Sequence, residues 1–240
     1  MNPTSSQNSR PDPEPTRSIV VISGGMSDTS SSRMLADRLA QKALDRLKGQ
    51  GIPAAVSIIE LRPLAANIAQ AIVSGFPDED LQAAIDRLAA AAAVIATTPI
   101  YKAGISGLFK AFMDILDNDL LIAVPVVLAA TGGSARHALV IDDQLRPLFA
   151  FMRTLTTPTS LFAAPEDWGD RALTTRIERA ATELAAMVTT GIRSAITDDA
   201  WGQYQHTFAG SARPATAAPE VAFDTDLMRL ATGGTFAARA

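Results

Sequence analysis

Apolar positions along the chain alternate between two rhythms. Ile19-Val20-Val21-Ile22 is an unbroken β-branched run with no polar alternate face, which predicts a strand covered on both sides. After a loop of Gly, Ser, Asp and Thr, Leu35, Leu39, Ala43 and Leu47 recur at helical spacing, and Gly49 and Gly51 end that helix. Ala55 to Ile59 predicts a second strand. A further helix carries Leu81, Ile85 and Leu88 and is entered through Pro77 and the acidic Asp78, Glu79 and Asp80, which suit the positive end of a helix dipole. Ala93 to Ala96 predicts a strand, and Leu108, Phe112 and Ile115 share one helix face. Val124 to Leu128 predicts the next strand and Leu139 to Met152 a helix. A short strand near Ser160–Ala163 leads into an amphipathic helix from Arg171 to Thr190. Strands that alternate with helices and lack an exposed face assemble as a parallel sheet covered on both sides. The expected fold is a doubly wound α/β domain with five parallel strands and helices on both faces.

The ends of the chain do not follow this rhythm. Residues 1–16 are polar and punctuated by proline, so they read as a flexible tail rather than a signal peptide, because no apolar stretch follows the start. From 201 to 240 the chain turns again to Gly, Ala, Pro, Ser and Thr, a second tail in which only Leu227–Leu230 reads as ordered. The folded domain is expected over 17–200. No run reaches the ~20 apolar residues of a membrane span.

Composition narrows the chemistry. The 240 residues are 48% hydrophobic, 19% charged and carry a net charge of −4, values of a globular domain with no electrostatic pull toward nucleic acid. There is no cysteine, which excludes disulfides, zinc–thiolate sites, cysteine-ligated clusters and a thiol nucleophile, and makes the cytoplasm the expected compartment. Two histidines, His137 and His206, do not make a three-histidine metal site. The chemistry is left to oxygen and amine side chains, backbone dipoles or a borrowed cofactor.

In a doubly wound sheet, ligands bind beyond the carboxyl ends of the strands, where the strand order reverses. Three segments there stand out. Ser23 to Arg33 leaves a buried strand and enters a helix; Ser23, Ser27, Ser30, Ser32 and Thr29 supply neutral hydroxyls, Arg33 one positive charge, and Gly24 and Gly25 allow close approach. The loop has neither a GxGxxG nor a GK[ST] pattern, so it reads as a monophosphate cradle or as a serine-rich helix cap. The loop from Thr97 to Gly107 contains Thr98, Pro99, Ile100 and Tyr101, one of two tyrosines; it is a wall for a planar ring or a proline turn with a packed tyrosine. The loop from Thr131 to His137 contains Gly132, Gly133 and Ser134, whose bare backbone suits a flat ligand edge, while His137 favours a structural role at the helix start. Together the loops suit a mononucleotide with a fused aromatic base.

The stretch TTPIYKAGISGLFKAFMDIL, followed by VPVVLAATGGSARHALVIDDQLRPLF, resembles the NAD(P)H-dependent FMN reductases of the flavodoxin-like fold, in the branch that supplies reduced FMN to luciferase-like two-component monooxygenases. The resemblance spans Ser18 to Thr190. It implies that the 23–33 loop holds the FMN phosphate, with Ser27, Ser30 and Ser32 at the hydroxyl positions, and that Thr98 to Tyr101 and Thr131 to Ser134 flank the isoalloxazine ring. Backbone N–H groups of Gly132 and Gly133 would then face the reduced ring. The chain departs from the family at Gly24-Gly25-Met26, where relatives usually carry Gly-Ser-Pro, and at Ile105, where several carry an aromatic tied to flavin retention and oligomer behaviour.

The implied reaction is hydride transfer from NADPH or NADH to FMN, with no catalytic side chain and no metal assigned, a flavin-dependent monooxygenase as partner and a homodimer or tetramer as the assembly. The alternatives are an FMN-bound quinone- or azo-type reductase, a non-enzymatic flavodoxin-like electron carrier, and a phosphate-binding regulatory module. The mild acidity argues against the carrier. The helix Ser106–Leu116 is apolar on more than one face, which suits either a subunit contact or burial within its own fold.

Overall fold

The computed structural model describes residues 16–200; the expected tails, Thr16 apart, and the segment Leu227–Leu230 lie outside the described residues. In chain order the elements are β1 (Arg17–Ser23), α1 (Ser31–Gly49), β2 (Ala54–Glu60), α2 (Ala65–Ser74), α3 (Glu79–Ala89), β3 (Ala93–Tyr101), β4 (Gly104–Ile105), α4 (Gly107–Asp114), β5 (Pro125–Thr131), α5 (Arg146–Phe151), β6 (Leu155–Thr156), β7 (Leu161–Ala163), α6 (Arg171–Thr189) and α7 (Ile192–Ala200).

The sheet runs β2-β1-β3-β5-β6, with β7 also on β5. All of these pairings are parallel, the flavodoxin-like order with its reversal between β1 and β3. The sheet has seven strands where five were expected. The fifth position is broken: β6 pairs with Pro125–Val126 and β7 with Ala129–Thr131, with Thr157 to Ser160 looping between them. The other addition, β4, folds back antiparallel on the end of β3.

The two-residue period of the strands divides the core. Ile19 and Val21 of β1, Ile95 of β3 and Val127 of β5 face α1 and α6, while Val20, Ile22, Val94, Val126 and Leu128 face the layer of α2, α3, α4 and α5. Leu35, Leu39 and Leu47 of α1 are fully buried, and each contributes about 1.5–3 kcal/mol through removal from water. Phe109 and Phe112 of α4 are also fully buried, so that face of the helix packs in its own core.

Three expectations change. Residues 97–101, expected as loop, continue β3, and 98–101 run beyond the end of β1, because Ile100 and Tyr101 gain partners in Ile105 and Gly104. Pro99 sits on this overhang, where one side of the strand has no neighbour and a missing N–H is tolerated. The helix expected over Leu139–Met152 is two pieces, a π turn at Ile141–Leu145 and α5, preceded by a 3-10 turn at Ala135–His137. Pro147, without an N–H to give to the preceding turn, forces the α-helix to restart. Two helices went unexpected, α2 and α7. Only Ile68 and Ala71 of α2 are buried, too thin a stripe to register as a period.

Candidate functional site

The segments singled out in the sequence lie at the carboxyl ends of β1, β3 and β5. The chain leaves β1 at Ser23, where the Gly24 N–H donates to the Thr97 carbonyl at 2.8 Å and ties the loop to β3. It enters α1 through Ser30, whose extended backbone and hydroxyl, accepting from the Arg33 N–H at 3.3 Å, make a helix cap. The first N–H groups of α1 have no acceptor within the helix and face the loop with the positive end of its dipole. Gly25 is required: a Cβ there would stand 1.9 Å from the Ser30 Oγ.

The β3–β4 hairpin forms the opposite wall. Its tip, Lys102 and Ala103, has φ of 52° and 62°, a turn that normally calls for Asn or Gly. The left-handed backbone costs about 1–2 kcal/mol per residue. The π turn supplies the restraint: Gln144 accepts from the Ile105 N–H at 3.1 Å and donates to the Ala103 carbonyl at 3.2 Å. The hairpin thereby presents Tyr101, half exposed, at the rim.

Between these walls lies a groove of about 230 Å³. Of the residues expected at the site, Ser27, Ser30, Ser32, Pro99, Ile100, Tyr101, Thr131, Gly132 and Gly133 line it together. The lining contains no charged side chain. Ser32 and Thr131 are joined by a buried hydroxyl–hydroxyl bond of 2.7 Å, which locks the start of α1 to the end of β5.

Four expected residues stand elsewhere. The Ser23 hydroxyl lies beneath the loop, fully buried and without a hydrogen-bond partner. Thr98 is also buried; its hydroxyl donates to the Pro99 carbonyl and accepts from the Ser106 N–H, both at 3.1 Å, so it braces the hairpin from behind. Ser134 caps the 3-10 turn beyond the groove. Arg33 points outward to Asp37, at 2.7 Å, and to Glu60. The Asp37 hydrogen bond, with Glu60 adding to it, outweighs partial burial and holds the guanidinium above its ordinary pKa. Of the two glycine N–H groups expected to face a ring, that of Gly132 is already engaged, donating to the Ala163 carbonyl at 3.2 Å.

Ala163, Pro165 and Trp168 complete the groove and were not expected there. Ala163 ends β7, and Pro165 and Trp168 belong to the 3-10 turn after it, anchored by the Asp167 carboxylate on the Ala164 N–H at 2.8 Å. Trp168 is held from outside by Arg38, whose guanidinium carbon stands 5.1 Å from its ring centroid. The signal was an aromatic in the last strand-end loop, the same reasoning that selected Tyr101. Among the described residues, no cluster of His, Asp and Glu is arranged to hold a metal ion, and no helix is long and apolar enough to cross a membrane.

Comparison with known proteins bears on this site. Residues 17–169 match the family model described as NADPH-dependent FMN reductase. An FMN reductase (NADPH) of Pseudomonas aeruginosa is 34% identical over 70% of this chain and 88% of its own length. The NADH-dependent FMN reductase SfnF of Pseudomonas fluorescens is 37% identical over 70% of this chain and 87% of its own length. The crystal structure of an oxidoreductase from Corynebacterium diphtheriae, 40% identical, superposes with a TM-score of 0.71 over 73% of this chain and 98% of that one.

Proposed function

Because the chain belongs to the NADPH-dependent FMN reductase family, and is therefore an NAD(P)H:FMN oxidoreductase, we propose that it holds FMN across the ends of β1, β3 and β5 and passes the reduced flavin to a separate flavin-dependent monooxygenase. The observation that carries the placement is the convergence of the α1 N-terminus, the Tyr101 hairpin and the Gly132-Gly133 backbone on one uncharged groove.

The residues fit the flavin in kind. Ser27, Ser30 and Ser31, with the first N–H groups of α1, provide the many neutral donors that a phosphate needs, and no carboxylate lines the groove to repel it. Tyr101 and Trp168 provide flat walls, and Gly133 leaves its backbone bare because a Cβ there would meet nothing within 4 Å of protein. When bound, FMN supplies the redox chemistry by accepting a hydride from NADPH or NADH at its N5 position. The side chains orient the ring and screen it from water, and the backbone N–H of Gly133 is a dipole toward developing negative charge; no side chain exchanges a proton. The resemblance further implies a homodimer or tetramer, which the exposed Leu139 and Phe151 near the π turn support.

Steady-state oxidation of NADPH and NADH in air tests the reading. Turnover that rises with added FMN to saturation is expected. Turnover that needs a quinone and is indifferent to added FMN would favour a retained-flavin reductase instead, and no turnover with either nucleotide overturns the assignment.

A further inference from the structure

Helix α2 carries two apolar flanks and buries one of them. Ile68 and Ala71 turn into the core, while Ala69, Ile72 and Val73 lie on an outward flank, where Ile72 is 54% and Val73 88% exposed. Phe76, 75% exposed, continues that flank past the helix end. Its position there is built. Gly75 closes the helix with φ of 79°, and the Ser74 hydroxyl donates to the Phe76 carbonyl at 3.0 Å and accepts from the Phe76 N–H at 3.2 Å. A short helix with this much apolar surface turned outward lacks a partner.

The chain itself contains an occupant of matching pattern. Beyond the described residues, Phe223, Leu227 and Leu230 recur at i, i+4 and i+7, the spacing of one apolar helix face. The Pseudomonas relatives match 70% of this chain but 88% and 87% of their own lengths, so this chain carries length that they lack. Its exit point favours the meeting. Arg193 of α7 donates to the Ala89 and Ala91 carbonyls at the end of α3, on the side of the sheet that carries α2. The 11 residues of α3 separate that anchor from Phe76 by about 16 Å. Residues 201–220 span up to about 70 Å when extended, far more than the path requires. Arg229, the cation within the segment, has Glu79 and Asp80 to meet, two exposed carboxylates just beyond Phe76 that no described side chain pairs.

We propose that residues 221–230 dock on the outward flank of α2 of the same chain, seating Phe223, Leu227 and Leu230 against Ile72, Val73 and Phe76. The chain has no cysteine, so one introduced pair makes its only disulfide. Full-length Val73→Cys with Leu230→Cys is compared with Gln41→Cys with Leu230→Cys, in which the first thiol sits on α1 across the sheet. Both are oxidised with glutathione disulfide and followed by mass and non-reducing electrophoresis; cysteine at 230 keeps a small apolar side chain there. A tether alone offers both pairs effective concentrations of the same order. Docking is expected to close the intramolecular disulfide at Val73 at least about tenfold faster than at Gln41, and adding Phe223→Ser and Leu227→Ser to remove that preference. Rates within about twofold of each other overturn the proposal, as does a preference that survives the two serines. A disulfide-linked dimer as the main product of the Val73 pair also overturns it and gives the flank to a second copy of the chain.

Discussion

Substituting Gly25 by alanine separates a phosphate cradle from a serine-rich helix cap. The added Cβ would stand 1.9 Å from the Ser30 Oγ and 2.6 Å from the Ser30 Cβ, where real Cβ contacts essentially never fall below 3.0 Å, so Ser30 must retreat by more than an ångström. Its hydrogen bond from the Arg33 N–H, at 3.3 Å, does not survive that movement. Loss of such a cap costs about 0.5–2 kcal/mol. For a domain of this size each kcal/mol lowers the melting temperature by about 2–4 °C. A cap alone predicts only that loss. A phosphate cradle predicts in addition the loss of a hydrogen bond to a charged group, about 1.5–3 kcal/mol, or FMN binding weakened about ten- to a hundredfold. Thermal melts and FMN fluorescence titrations read the two effects independently. Gly133→Ala is the complement: a Cβ there meets nothing within 4 Å, so the melting temperature holds while FMN affinity falls, because the methyl intrudes on the ring. Gly25→Ala binding FMN within about twofold of wild type, where each tenfold is 1.4 kcal/mol, would refute the cradle.

Other outcomes follow from contacts at and below the site. Ser32→Ala leaves the Thr131 hydroxyl buried without its 2.7 Å partner and should cost about 1–3 kcal/mol in denaturant unfolding, and adding Thr131→Val should recover most of that loss. Gln144→Ala frees the strained Lys102-Ala103 turn; catalysis at saturating FMN should persist while the KM for FMN rises several-fold, with Gln144→Glu unable to restore the donor to the Ala103 carbonyl. Arg193, whose pKa burial pushes down, donates to the Ala89 and Ala91 carbonyls at and just beyond the end of α3. Arg193→Ala should lower stability by about 1–3 kcal/mol without changing the KM for FMN, because the contact lies at the opposite end of the sheet.

The fold was legible because its strands are unbroken apolar runs and its longest helices carry full stripes, as at Leu35, Leu39 and Leu47. What escaped had a local cause. The fifth strand is split by Thr157 to Ser160 into pieces of two and three residues, too short to show a period. The extension of β3 depends on pairing with Gly104 and Ile105, a contact that residue types at 97–101 do not announce. At the site, the loop positions were legible, but side-chain direction was not. Arg33 and Ser32 are neighbours in one helical turn, yet Ser32 turns inward to Thr131 and Arg33 outward to Asp37, where a carboxylate competes for it. Thr98 and Pro99 are split by the strand pleat in the same way. Trp168 was missed because it follows the weakest strand of the sheet.

The placement of the flavin is tested most directly by hydrogen exchange of backbone amides with and without FMN. Protection is predicted to rise together in residues 24–33, 100–101 and 133–134 and to leave the groove between α1 and α6, around Gln41 and Ile177, unchanged. FMN that binds without protecting the 24–33 amides, or that protects the α1–α6 groove instead, would contradict the account.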